Sequence, residues 1–64
     1  MHTYVKLKNG QIMILWSDNQ QEETMDLYEL DKENDFDPEW DKLTTRVPYS
    51  EIEVTDTNIS VLLN

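Results

Sequence analysis

Two β-prone runs, residues 3–8 with apolar residues among lysines and residues 11–16 almost wholly apolar, flank Asn9-Gly10. An Asn-Gly pair supplies positive φ at both positions of a two-residue type I′ turn, so residues 3–8 and 11–16 are predicted to pair as a hairpin. A two-residue loop sets Leu7 opposite Ile12, Val5 opposite Ile14 and Thr3 opposite Trp16 on one face, almost wholly apolar. The second face takes Lys8 with Gln11, Lys6 with Met13 and Tyr4 with Leu15. It is polar near the turn and apolar toward the open end.

Beyond the hairpin the pattern shortens. Residues 17–23 carry Ser, Asp and Asn and read as a loop. Residues 24–30 fit two periods: Leu27 and Leu30 make a helical stripe, whereas Met25 with Leu27, or Tyr28 with Leu30, make a strand. The strand is the reading preferred. Asp37 is placed to cap a short helical turn, with Pro38 at its first position, Glu39 in its first turn and its end near Leu43. Leu43 to Val47 reads as a strand stopped by Pro48, and residues 48–51 as a tight turn. Ile52 and Val54, then Ile59, Val61 and Leu63, alternate as short C-terminal strands around the turn-prone Asp56, Thr57 and Asn58. The fold class expected is mainly β. The layout resembles a small antiparallel barrel or strongly bent sheet, SH3-like in strand arrangement, with a short helical turn near residues 38–43.

Length narrows this to a single small domain spanning residues 1–64. A chain so short buries only about 60% of its unfolded surface, and without Cys it has neither a disulfide nor a thiolate metal site to reinforce it. The longest uninterrupted apolar run, residues 12–16, is too short for a signal peptide or a membrane span, so a cytoplasmic protein is expected. The sequon at Asn58 has no secretory context and is read as chance.

Charge changes the picture more. The net charge is −9, and residues 18–41 hold eleven of the fourteen acids with one base, Lys32. That segment therefore carries −10 and the remainder +1. Such a field repels nucleic acid and anionic lipid and attracts basic protein surfaces, so neither direct nucleic-acid binding nor membrane binding is expected.

Catalytic chemistry finds little support. His2 sits beside a chain terminus, no Cys is present, and Ser17, Ser50 and Ser60 have no basic partner nearby in sequence. Gly10 alone cannot make a glycine-rich phosphate loop, and no cofactor is implied. Alternating acids also suggest a calcium loop, but counting from Asp31 the sixth position is Phe36, where the turn needs Gly. The twelfth is Lys42, where a bidentate Glu is needed, so no metal site is expected.

The same acids support a binding role. In an extended chain Asp31, Glu33, Asp35, Asp37, Glu39 and Asp41 would project carboxylates about every 6.6 Å, the length scale of a nucleic-acid backbone. The plainer alternative is a solvated acidic loop. Phe36 and Trp40, inside the run, either fold back onto the core or serve as apolar anchors in a basic groove. With Glu29 these residues form the expected partner-binding set. In size and charge the chain resembles small acidic bacteriophage proteins that block restriction, CRISPR or repair enzymes. That resemblance implies an inhibitor mimicking nucleic acid, acting in the host cytoplasm on a basic nucleic-acid-binding enzyme. The competing reading is a structural module that forms a homodimer through a strand edge, or through Tyr4, Met13 and Leu15 on the hairpin's second face.

Overall fold

The computed structural model describes residues 2–63. The chain is mainly β, with one antiparallel five-stranded sheet and a single short helix among the described residues. The strands are β1 (Tyr4–Leu7), β2 (Ile12–Asn19), β3 (Thr24–Asp31), β4 (Asp37–Pro48) and β5 (Ile52–Asp56), followed by α1 (Ile59–Leu62). Their order across the sheet is β4-β3-β2-β1-β5. The first four strands form a meander, and the chain then crosses from one edge to the other to place β5 beside β1. The sheet is not closed into a barrel.

The first hairpin forms, but its turn is longer than the sequence predicts. Gly10 alone carries positive φ, at 93°, while its N–H bonds to the Leu7 carbonyl and the Leu7 N–H bonds to the Gln11 carbonyl. The loop is thus the three residues Lys8, Asn9 and Gly10, the arrangement in which a turn is followed by one left-handed residue. The cause lies in Asn9, whose side chain accepts the Gln11 N–H at 2.8 Å and holds Asn9 out of the left-handed region. One extra loop residue slips the register: Val5 faces Met13, Tyr4 faces Ile14 and Lys6 faces Ile12.

Because side chains alternate, that slip exchanges the faces of β2 relative to β1. Val5, Leu7, Met13, Leu27 and Val47 form the core, with Leu15, Met25 and Ile52 packed against it. Met13 and Leu15 therefore belong to the core side and not, as expected, to a second face of the hairpin shared with Tyr4. Residues from β1, β4 and β5 meet in this one cluster, so the sheet curves around it. Tyr4, Ile14, Tyr28 and Leu43 face one another across four strands on the other side. Ile14 is only 1% exposed, and Leu62 at 2% is the other fully buried large side chain outside the core cluster. Since α1 packs on β1 and β5, it covers that part of the second face.

Three further predictions are corrected. Residues 38–43 form no helical turn; they belong to β4, where Pro38 is buried and pairs with Leu30. A proline is tolerated there because β4 is an edge strand. The 3₁₀ turns lie instead at Lys32–Asn34 and Tyr49–Glu51. Ser17, Asp18 and Asn19, expected in a loop, continue β2, leaving residues 20–23 as the connection. Ile59, Val61 and Leu63 do not form a strand. Asn58 caps α1 by accepting the Ser60 N–H, and Ile59 and Leu62 fall one helical turn apart. The strand reading of residues 24–30 holds, as do the 43–47 strand within β4 and the turn after Pro48.

Candidate functional site

The second face is only partly covered. Where α1 stops, β2, β3 and β4 present Trp16, Tyr28 and Trp40 in a mutually edge-to-face cluster. The ring centroids lie 5.4 Å apart for Trp16–Tyr28, 5.6 Å for Trp16–Trp40 and 5.1 Å for Tyr28–Trp40. Such perpendicular contacts match the positive edge of one ring to the negative face of the next. Both indoles nonetheless remain open to solvent, Trp16 at 58% and Trp40 at 60% exposure. Leu43, the cross-strand neighbour of Tyr28, extends the patch and is also exposed.

Two bulges shape this face. The pairing of β2 with β3 shifts between Leu15 and Ser17, and that of β3 with β4 shifts between Met25 and Leu27. Both lie beside Asp26, whose carboxylate accepts the Ser17 Oγ–H at 2.8 Å and the Arg46 N–H at 3.0 Å. The Arg46 N–H bond foremost, then the Ser17 bond, holds the Asp26 carboxyl below its ordinary range. Asp26 shares the face of Tyr28, two residues on, and has the charge of Arg46 close to it. On the other side of the hairpin the Tyr49 hydroxyl donates to the Asp18 carboxylate, and the Tyr49 N–H bonds to the Glu23 carbonyl. The Asp18 bond pushes the Tyr49 hydroxyl up to about 12, because losing its proton would set two negative charges together.

The predicted acidic row is divided. Asp31 ends β3, where its side chain accepts the Glu33 N–H, and Glu33 and Asp35 lie in the tight connection to β4. Asp35 and Phe36 both take left-handed backbone near φ 61°, so the chain reverses there and residues 31–37 make no extended ladder. Asp37, Glu39 and Asp41 do lie on one strand, but the register between β3 and β4 shifts again between Tyr28 and Leu30, leaving residues 39–42 bulged. Glu29 faces the core side, opposite Met13. Of the two aromatics, Phe36 is half-buried and lines a groove with Ile12, Leu30 and Leu63, whereas Trp40 stands on the open patch.

Trp16, Tyr28 and Leu43 escaped the sequence reading of the site. The spacing carried a signal: the three aromatics are twelve residues apart, and the connections between β2, β3 and β4 fall midway between them. Chains folded back at those midpoints bring the rings onto adjacent strands.

Among the described residues no group of three or more Asp, Glu or His side chains is placed to hold a metal ion, and no helix is long and apolar enough to cross a membrane. No family model, no curated protein and no solved structure matches the chain.

Proposed function

We propose that this chain is a non-enzymatic protein-binding domain that docks its acidic half, β2 to β4, onto a basic protein surface. The observation carrying this reading is the pair of exposed indoles within that half. Residues 12–48 contain eleven carboxylates against three basic side chains, Lys32, Lys42 and Arg46. Tryptophans at the centre of a patch supply the desolvated contact area of a hot spot, and surrounding charge supplies attraction and orientation. A merely solvating acidic segment has no use for two indoles held open by a third ring.

A nucleic-acid-binding enzyme is the partner class that best fits the sign of the charge, and blocking its groove is the mode of action proposed. The divided acidic row makes mimicry a matter of surface charge rather than of a regular phosphate ladder. The frame is read as SH3-like in layout, supported by the strand order and by the 3₁₀ turn between β4 and β5. Retention of proteins from a bacterial extract on the immobilised chain tests the reading. Basic nucleic-acid-binding proteins should be held at low salt and released at high salt. Retention indifferent to ionic strength would count against it.

Self-association through a strand edge is the alternative. It loses the Met13 and Leu15 contact to the core and must bring two chains of charge −9 together.

A further inference from the structure

We infer that the Trp16–Tyr28–Trp40 cluster is a stacking platform for arginine side chains of the basic partner. The inference rests on the proposed acidic docking and names the chemistry that occupies the aromatic face. Three observations lead to it.

First, the three rings contact one another and yet stay open. Tyr28 touches both indoles, whose planes meet at 84° and so form a corner rather than a flat slab. Both rings keep more than half of their surface in solvent. Second, the electrostatics select a cation. The face of an indole is the best aromatic surface for a positive group, and residues 37–42 set three carboxylates against one base, Lys42, along the strand at Trp40. Asp26, with Arg46 beside it, adds a carboxylate on the same face as Tyr28. A second copy of the chain would bring −9 against −9 and is disfavoured as the occupant. Third, shape selects among cations. A guanidinium is flat, weakly hydrated and carries N–H groups around its edge, so it can lie on one indole while its edge faces carboxylates. An ammonium is compact and strongly hydrated, and gains less from a flat aromatic surface.

The test compares an oligo-arginine peptide with an oligo-lysine peptide of equal length and charge, titrated into the intact chain at low salt. Binding is followed by tryptophan fluorescence and by the two indole N–H signals in proton–nitrogen NMR spectra. The expected result is preferential binding of the arginine peptide, with both indole signals shifted. Trp16→Ala and Trp40→Ala should each weaken arginine binding roughly two- to fivefold, as exposed cation–π contacts do, and leave lysine binding nearly unchanged. The wild-type signals keep the test decisive even if a variant fails to fold. Equal affinity for both peptides with unmoved indole signals would overturn the platform and leave the acidic docking intact. Failure of both peptides to bind would remove both. Indole signals that move with protein concentration alone would assign the face to a second copy, and the inference falls.

Discussion

The carboxylate of Asp26 accepts the backbone N–H of Arg46 at 3.0 Å, across a bulge that turns Arg46 to a φ of 58°. Left-handed backbone at a non-glycine residue is unfavourable by about 1–2 kcal/mol, and the bulged N–H has lost its place in the ladder. Asp26 supplies the missing acceptor and, through Ser17, ties the same point to β2. The bulges that set the exposed aromatic face thus depend on one ionised side chain.

Stability should therefore fall in acid through Asp26. Its folded-state pKa lies below the ordinary value of 3.8, so its contribution is fully present above that value. It is lost as pH falls through the depressed folded value. Thermal melting of wild type and Asp26→Ala across the acid range checks this: wild type should melt higher near neutrality, and the gap should close at low pH. A gap that is constant with pH would show that the bond does not depend on the charge.

Tyr49 works in the opposite direction. Its folded pKa, about 12, exceeds the ordinary 10.0, so its bond to Asp18 contributes below pH 10 and is lost as pH rises through the folded value. The difference in absorbance titration between wild type and Tyr49→Phe isolates this one phenol. It should ionise near 12, and Asp18→Asn should bring it down toward 10.

How much of this was legible in the sequence depended on whether local chemistry decided the outcome. The β1–β2 hairpin, the β3 strand, the stop at Pro48 and the turn after it were readable, since Gly, Pro and alternation act within a few residues. The register was not. Asn9 had two uses, as a left-handed turn residue or as an acceptor for the Gln11 N–H, and choosing the second moved Trp16 from the predicted core face to the open one. At Asp37-Pro38 the helix-start signal was genuine, but pairing with Leu30 and Asp31 at the sheet edge outweighed it. Acidity showed the sign of the partner. The anchor needed the folded arrangement of three strands.

Core and patch should separate cleanly on substitution. Leu27 is fully buried, and Leu27→Ala should destabilise by about 2–5 kcal/mol, a large part of the roughly 3–10 kcal/mol expected for so short a chain. Trp40→Ala removes a mostly exposed ring and two edge contacts, and should lose less, about 1–3 kcal/mol. Urea unfolding measures both. Equal losses would place Trp40 in the core and leave no free indole for a partner.

Gly10 is required for its backbone angle and not for space. A Cβ at this position meets nothing within 4 Å, but φ is 93°. Gly10→Val should destabilise, because β-branched residues avoid this region, while Gly10→Asn should be tolerated better. Thermal melting of the two variants distinguishes them, and equal melting points would show that the loop can relax to another turn.

Asp31 and Asp37 face each other directly across β3 and β4, and like charges in that relation oppose pairing. Asp31 is held in place because it also caps the 3₁₀ turn through the Glu33 N–H, so relief should come from the exposed Asp37. Asp37→Lys should raise stability by roughly 0.2–1 kcal/mol, the range for cross-strand pairs, with the gain shrinking as salt screens it. The same substitution moves the net charge of −9 two units toward zero and should weaken binding to a basic partner. Melting and binding measured on this one variant therefore weigh the two uses of the acidic segment against each other. A gain in stability with unchanged binding would mark Asp37 as a solvating charge. A gain in stability with a loss of binding would mean that fold stability is forgone there for the sake of the negative surface.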